Sequence, residues 1–173
     1  EYRAKELAAF LRVPADTCLE RLQGGFGALH AAVTEDFNRA NPQTDDELLQ
    51  WYRTTDSYLW ELTAYHSDPG FNYTGMIKGI VERLKGAGCV QNVLCLGDGT
   101  GDLTLAVQQA GMHATYHDLY GSRIANFALA RMEMRGSKYS FTLTDSWEPG
   151  FDEDFMDAIV SLDFLEHVPN VEE

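Results

Sequence analysis

Val93 Leu94 Cys95 Leu96 Gly97 Asp98 Gly99 Thr100 Gly101 Asp102 Leu103 Thr104 passes from an apolar run, through alternating glycines, into the first turn of a helix. A short β-branched and apolar run from Val90 to Leu96 reads as a buried strand, and Leu103 to Ala110 has helical spacing. The cycle repeats with Ala114 to Asp118 as strand and Ile124 to Met134 as helix, then Tyr139 to Leu143 and Ala158 to Leu162 as further strands. Strands alternating with helices predict an α/β, Rossmann-like domain with a mainly parallel sheet over residues 87–173. Glycine in the turn lets a ligand approach the backbone, and the following helix offers amide donors and a positive dipole end, suited to a pyrophosphate or a carboxylate.

Residues 1–86 read as an all-helical region that serves as lid or substrate platform. Leu7, Phe10 and Leu11 share one face, Leu19 and Leu22 repeat it after Pro14, and Gly24, Gly25 and Gly27 break the run. Thr44 Asp45 Asp46 Glu47 is a capping box opening a helix expected to reach His66, ahead of Asp68 Pro69 Gly70. Trp51, Tyr52, Tyr58, Trp60 and Tyr65 give that helix more apolar surface than one stripe requires, so either two faces are buried or one meets a ligand. Tyr58, Trp60 and Tyr65 are candidates to cover a bound acceptor, and His66 and Tyr73, flanking Asp68 Pro69 Gly70, either line a cofactor or substrate entrance or are a helix-end histidine and a packing tyrosine. Ile77, Ile80, Val81 and Leu84 predict one more helix, stopped by Gly86 Ala87 Gly88, where the boundary is placed.

Composition narrows the function. The 173 residues carry 13 Lys and Arg against 27 Asp and Glu, a formal charge of −14 that excludes a broad footprint for nucleic acid or anionic lipid. No apolar run approaches the ~18 residues of a membrane span. Cys18, Cys89 and Cys95 lack metal-ligand spacing, which fits a reducing, cytoplasmic setting. His113 and His117 sit four apart on one strand, roughly 13 Å along the chain, too far to share an ion, and no metal is expected.

The Gly97, Gly99, Gly101 spacing brings the third glycine one residue earlier than the dinucleotide fingerprint does, with Asp102 where that glycine would stand. An anionic side chain there disfavours the pyrophosphate of a nicotinamide dehydrogenase. The spacing resembles motif I of the class I S-adenosylmethionine-dependent methyltransferases, and the resemblance covers residues 89–173. It implies that Gly97, Gly99 and Gly101 receive the aminocarboxypropyl end of S-adenosylmethionine. Asp118, 17 residues after Gly101, would then accept the ribose hydroxyls with Leu119 beside the adenine, and Asp145 and Ser146 would read the adenine ring. Asp163, in the segment after the fourth strand, would face the cationic end of the cofactor. His167, in the same segment, is the candidate catalytic base for a small organic acceptor whose methylated atom is left open.

Cys95 departs from the family, which places an acid there to help hold the cofactor ammonium, so amine recognition must come from elsewhere. Asp98 either supplies that charge or caps the following helix. The resemblance also ends just past the fourth strand, short of the family's seven. Residues 145–173 hold ten carboxylates and no Lys or Arg, accounting for −10 of the charge. The expectation is therefore half of a fold, with its fourth-strand edge covered by the rest of a longer chain, a homo-oligomer or a partner chain. The alternative is a non-catalytic S-adenosylmethionine-binding or assembly module completed by a partner.

Overall fold

A computed structural model describes residues 2–138, 140–145 and 155–168. Six helices come first: α1 (Tyr2–Leu11), α2 (Ala15–Gln23), α3 (Phe26–Ala40), α4 (Asp45–Thr54), α5 (Ser57–Ser67) and α6 (Tyr73–Gly86). They are followed by β1 (Asn92–Leu96), α7 (Asp102–Gln109), β2 (His113–Leu119), α8 (Arg123–Met134), β3 (Ser140–Thr144) and β4 (Ala158–Ser161). Among the described residues the four strands form one parallel sheet in the order β3-β2-β1-β4. The α/β, Rossmann-like architecture is thus as expected, and β4 is an edge strand of the described sheet, with Ile159 exposed.

Parallel strands covered on both faces are continuously apolar, and Val93, Leu94 and Cys95 of β1 are fully buried. On one face, Tyr73 and Ile77 of α6 pack with Leu103 and Val107 of α7 against Val93 and Cys95. On the other, Ala125, Ala128 and Met132 of α8 meet Tyr116 of β2 and Leu105. The opposite side of α8 presents Ile124 and Phe127 to Leu7, Ala8, Cys18, Leu29, Leu59 and Trp60. Two of these clusters draw residues from both sides of residue 86, and α8 packs on the sheet with one side and on the helical region with the other.

The single helix expected from Thr44 to His66 is instead two. The capping box is present, with Thr44 Oγ1 accepting from Glu47 N and Glu47 Oε2 accepting from Thr44 N. The break at Thr55 is stabilised from α3: Thr55 Oγ1 and Ser57 Oγ both donate to Asp36 Oδ2, at 2.7 and 2.8 Å. Hydroxyls that find such a partner compete with helix continuation. Gly25, at φ 94, supplies the turn before α3, whereas Gly27, expected to help break the chain, lies inside that helix.

A buried ionic network ties α1 to the glycine turn. Arg131 of α8 donates through Nε to Glu6 Oε2 at 2.8 Å, through Nη2 to Asp102 Oδ1 at 3.0 Å, and through Nη1 to the Thr100 carbonyl. Arg135 adds a bond to Glu6, and Arg3 donates to Asp102 through both Nε and Nη2.

Candidate functional site

In open parallel sheets a ligand crevice opens at the carboxyl ends of the strands where the strand order reverses. Here the chain moves outward from β1 through β2 to β3, then returns to place β4 on the other side of β1. The glycine turn after β1 and the segment after β4 flank that switch point. A cavity of about 190 Å³ lies there, roofed by Leu49 and Tyr52 of α4, Tyr58, Leu62 and His66 of α5, and Tyr73 of α6.

Seven of the ten residues expected in the site line this cavity: Gly97, Asp98, Gly99, Asp118, Leu119, Asp163 and His167. Gly101 stands behind it at φ 78, where an added Cβ would come within 2.8 Å of Met132 Cε, so this glycine serves the packing of the turn on α8. Asp145 is exposed and does not line the cavity; its carbonyl accepts from Arg53 Nη2 at 2.7 Å. Ser146 lies outside the described residues. Gly97, at φ 63, touches the Phe164 ring, which a Cβ at position 97 would overlap.

Most amides of the turn, expected to be free for a ligand, are committed within the chain. Gly97 N and Asp98 N donate to the His117 carbonyl, Gly99 N donates to Asp118 Oδ2 at 2.8 Å, and Gly101 N donates to the Asp98 carbonyl. Asp98 itself folds back onto α7, accepting from Leu103 N at 3.1 Å and Thr104 N at 2.7 Å. Of its two open readings, the helix cap is the one observed. A carboxylate thus already occupies the place at the helix N-terminus where an anionic ligand would bind. Burial pushes the Asp98 carboxyl up to about 7, an effect that its amide donors offset only in part. Burial likewise raises Asp118 to about 6 against the pull of the Leu119 and Gly99 amides.

Asp102 plays a different part from the one expected. Although burial alone would raise it, His66, Arg131 and Arg3 hold its carboxyl well below the usual range. With its charge offset by the Arg3 and Arg131 guanidiniums, Asp102 belongs to a buried ion cluster, and Asp98, capping α7, stands where a pyrophosphate would bind.

His66 Nδ1 is 2.8 Å from Thr100 Oγ1 and 3.0 Å from Asp102 Oδ2, and the ring stacks on Tyr73 with centroids 3.7 Å apart and planes at 8°. Both side chains line the cavity, where the sequence placed them. Tyr58 also lines it, but Trp60 is buried in the helical core under the Arg21 guanidinium, so it covers no acceptor. Tyr65 donates to Asp163 Oδ2 at 3.2 Å, and Asp163 adopts φ 50. His167 Nδ1 lies 3.2 Å from the Tyr52 hydroxyl. Tyr52, Leu49 and Phe164 were not anticipated as lining; the aromatic excess of residues 44–66 was the signal for Tyr52, and Phe164 gave none.

Among the described residues no three His, Cys, Asp or Glu side chains gather as a metal centre requires, and no helix is long and apolar enough to cross a membrane. No family model matches the chain, and no curated protein matches it. Among solved structures, one chain from the study of the conversion of a disulfide bond into a thioacetal group during echinomycin biosynthesis is similar, with 26% identity and a TM-score of 0.42. The match covers 50% of this chain and 36% of that one, so this chain spans about a third of the length of the structure it matches.

Proposed function

We propose that this chain binds S-adenosylmethionine in the crevice between β1 and β4 and supports methyl transfer to a small organic acceptor. The observation that carries the reading is the charge of the cavity. Asp98, Asp118 and Asp163 line it without a single Lys or Arg among the described lining residues, while the Gly97, Asp98, Gly99 and Gly101 amides are already bonded. Such a wall disfavours a pyrophosphate and suits a nucleoside bearing positive charge, as the sulfonium and ammonium of S-adenosylmethionine do.

The residues present fit that cofactor. Asp118 holds its oxygens with the Gly99 and Leu119 amides, each oxygen keeping a lone pair for a ribose hydroxyl, and Leu119 offers an apolar surface beside it. When bound, S-adenosylmethionine supplies an electrophilic methyl group. Methyl displacement is in line, so the chain's own work is to hold the acceptor close and exclude water, which Tyr52, Tyr58 and Leu62 of the roof accomplish. His167, steadied by Tyr52, is placed to take a proton from an acceptor that must lose one. A second reading, a binding module completed by another chain, draws on the open β4 edge and Ile159. It predicts cofactor binding without turnover until the edge is covered.

The test is isothermal titration of S-adenosylmethionine and S-adenosylhomocysteine into the chain and into Asp118→Asn. Saturable binding is expected, and the variant should lose about 1.5 to 3 kcal/mol, roughly ten- to a hundredfold, the scale of a hydrogen bond to a charged group. Equal affinity in both proteins would refute the placement of the ribose.

A further inference from the structure

Whatever cation enters this cavity needs a partner for its amino group, and the usual candidates near the turn are committed. Cys95 is fully buried in the sheet core, does not line the cavity, and has its thiol pushed further up by burial, so it brings neither charge nor contact. Asp98 is turned into α7, its oxygens capping that helix, and burial pushes its carboxyl up to about 7, so it brings only a partial charge. His66 has a different geometry. Its Nδ1 faces Asp102, a carboxylate kept ionised by Arg131 and Arg3 and able only to accept, so Nδ1 carries the proton. Burial lowers the His66 pKa, with Asp102 offsetting it in part, so the ring is neutral at pH 7. Nε2, on the far side of the ring, is left as a bare acceptor: it makes no hydrogen bond among the described residues, yet protein does not enclose it. Tyr73 stacked on one ring face and the two bonds at Nδ1 fix the direction of that lone pair.

We propose that His66 Nε2 is the acceptor for the ligand's charged amino group, held in register by Asp102 and Thr100, with Asp163 facing the same cavity as the nearby negative charge. This rests on the reading that the ligand is S-adenosylmethionine. It makes the helical region supply a cofactor contact that the glycine turn does not, and it makes Asp102 a positioning residue acting through His66.

The experiment compares S-adenosylhomocysteine with its analogue lacking only the α-amino group, titrated into the full chain and into His66→Phe, which keeps an aromatic ring against Tyr73. The wild-type chain should prefer S-adenosylhomocysteine by about tenfold or more, and the variant should bind the two alike. Preference surviving in His66→Phe, or absent from the wild type, overturns the proposal while leaving the proposed function standing. Failure of the wild type to bind either ligand overturns both. ¹⁵N spectra of the wild-type histidines give a readout independent of the variant's folding: the proton should reside on Nδ1, and S-adenosylhomocysteine, unlike the deaminated analogue, should move the Nε2 resonance. A proton on Nε2 in the free protein would overturn the assignment.

Discussion

Replacing Arg131 by Met should destabilise the protein more than any surface change, through stranded charge. The Arg131 side chain is 1% exposed and the carboxylates of Glu6 and Asp102 are 8% and 9% exposed. Removing one member of a buried ion pair costs about 3 to 5 kcal/mol, because the remaining charge has left water without compensation. Arg135 and Arg3 continue to serve Glu6 and Asp102, at 30% and 19% exposure, which places the expected loss near the low end, about 3 kcal/mol. For a chain of this size that lowers Tm by roughly 6 to 12 °C. The loss also depends on pH. Burial would raise both carboxyls, but the arginines bring Glu6 and Asp102 below their ordinary values, so their pairing stabilises the fold above the unfolded carboxylate range and fades as pH falls through the folded values. The gap between wild type and Arg131→Met, read from urea denaturation, should be full at pH 7 and shrink below about pH 4. A loss under about 1 kcal/mol at pH 7, or a gap that does not change with pH, would refute the argument from buried charge.

Gly97→Ala should cost about 1 to 2 kcal/mol from its left-handed backbone alone, plus the overlap with Phe164; Phe164→Ala in the same chain should relieve only the second part, and urea midpoints of the three variants check this. Asp98 and Asp118 should titrate near 7 and 6 in carbon NMR, since burial holds their protons beyond the pH at which the unfolded chain releases them. Their raised values make the fold lose stability as pH climbs from about 4 to 7, so Asp98→Asn should flatten that slope; a carboxyl titrating near 4 would contradict its burial. A cation bound in the cavity draws protons off the raised Asp98 and Asp118 carboxyls that line it, and the heat of ligand binding at pH 7 should then vary with the buffer.

The strands and their order of appearance were legible because each is a local pattern. Val93 to Leu96 is apolar throughout, as a strand covered on both faces must be, and the glycines after it demand a turn. What local pattern cannot carry is the partner of a polar group. The break at Thr55 depends on Asp36, 19 residues away, and nothing in residues 44–66 announces it. The role of Asp102 is set by Arg3 and Arg131, 99 and 29 positions distant, which turn a charge expected to repel into the centre of a buried ion-pair cluster. Asp98 was ambiguous for the opposite reason: a cap and a ligand contact require the same residue in the same place, and only the distances to Leu103 N and Thr104 N decide.

Those distant partners also determine which wall of the cavity yields when a ligand enters. α5 is fixed by buried contacts: His66 on Thr100 and Asp102, Leu62 against Gly99, and Leu59, Trp60 and Ala64 in the helical core. Moving it would break the His66 bonds to Thr100 and Asp102 and expose apolar surface, a cost of several kcal/mol. The segment carrying Asp163, Phe164 and His167 is held to the helices by the Tyr65 bond to Asp163 and the contact of Tyr52 with His167, both long for their type, and Leu165 within it is exposed. Bonds of that kind are worth about 1 kcal/mol each. Phe164, lying on Gly97 and lining the same cavity, is therefore the side chain whose displacement enlarges the crevice at least cost, and it sits on the backbone that the proposed cofactor must approach.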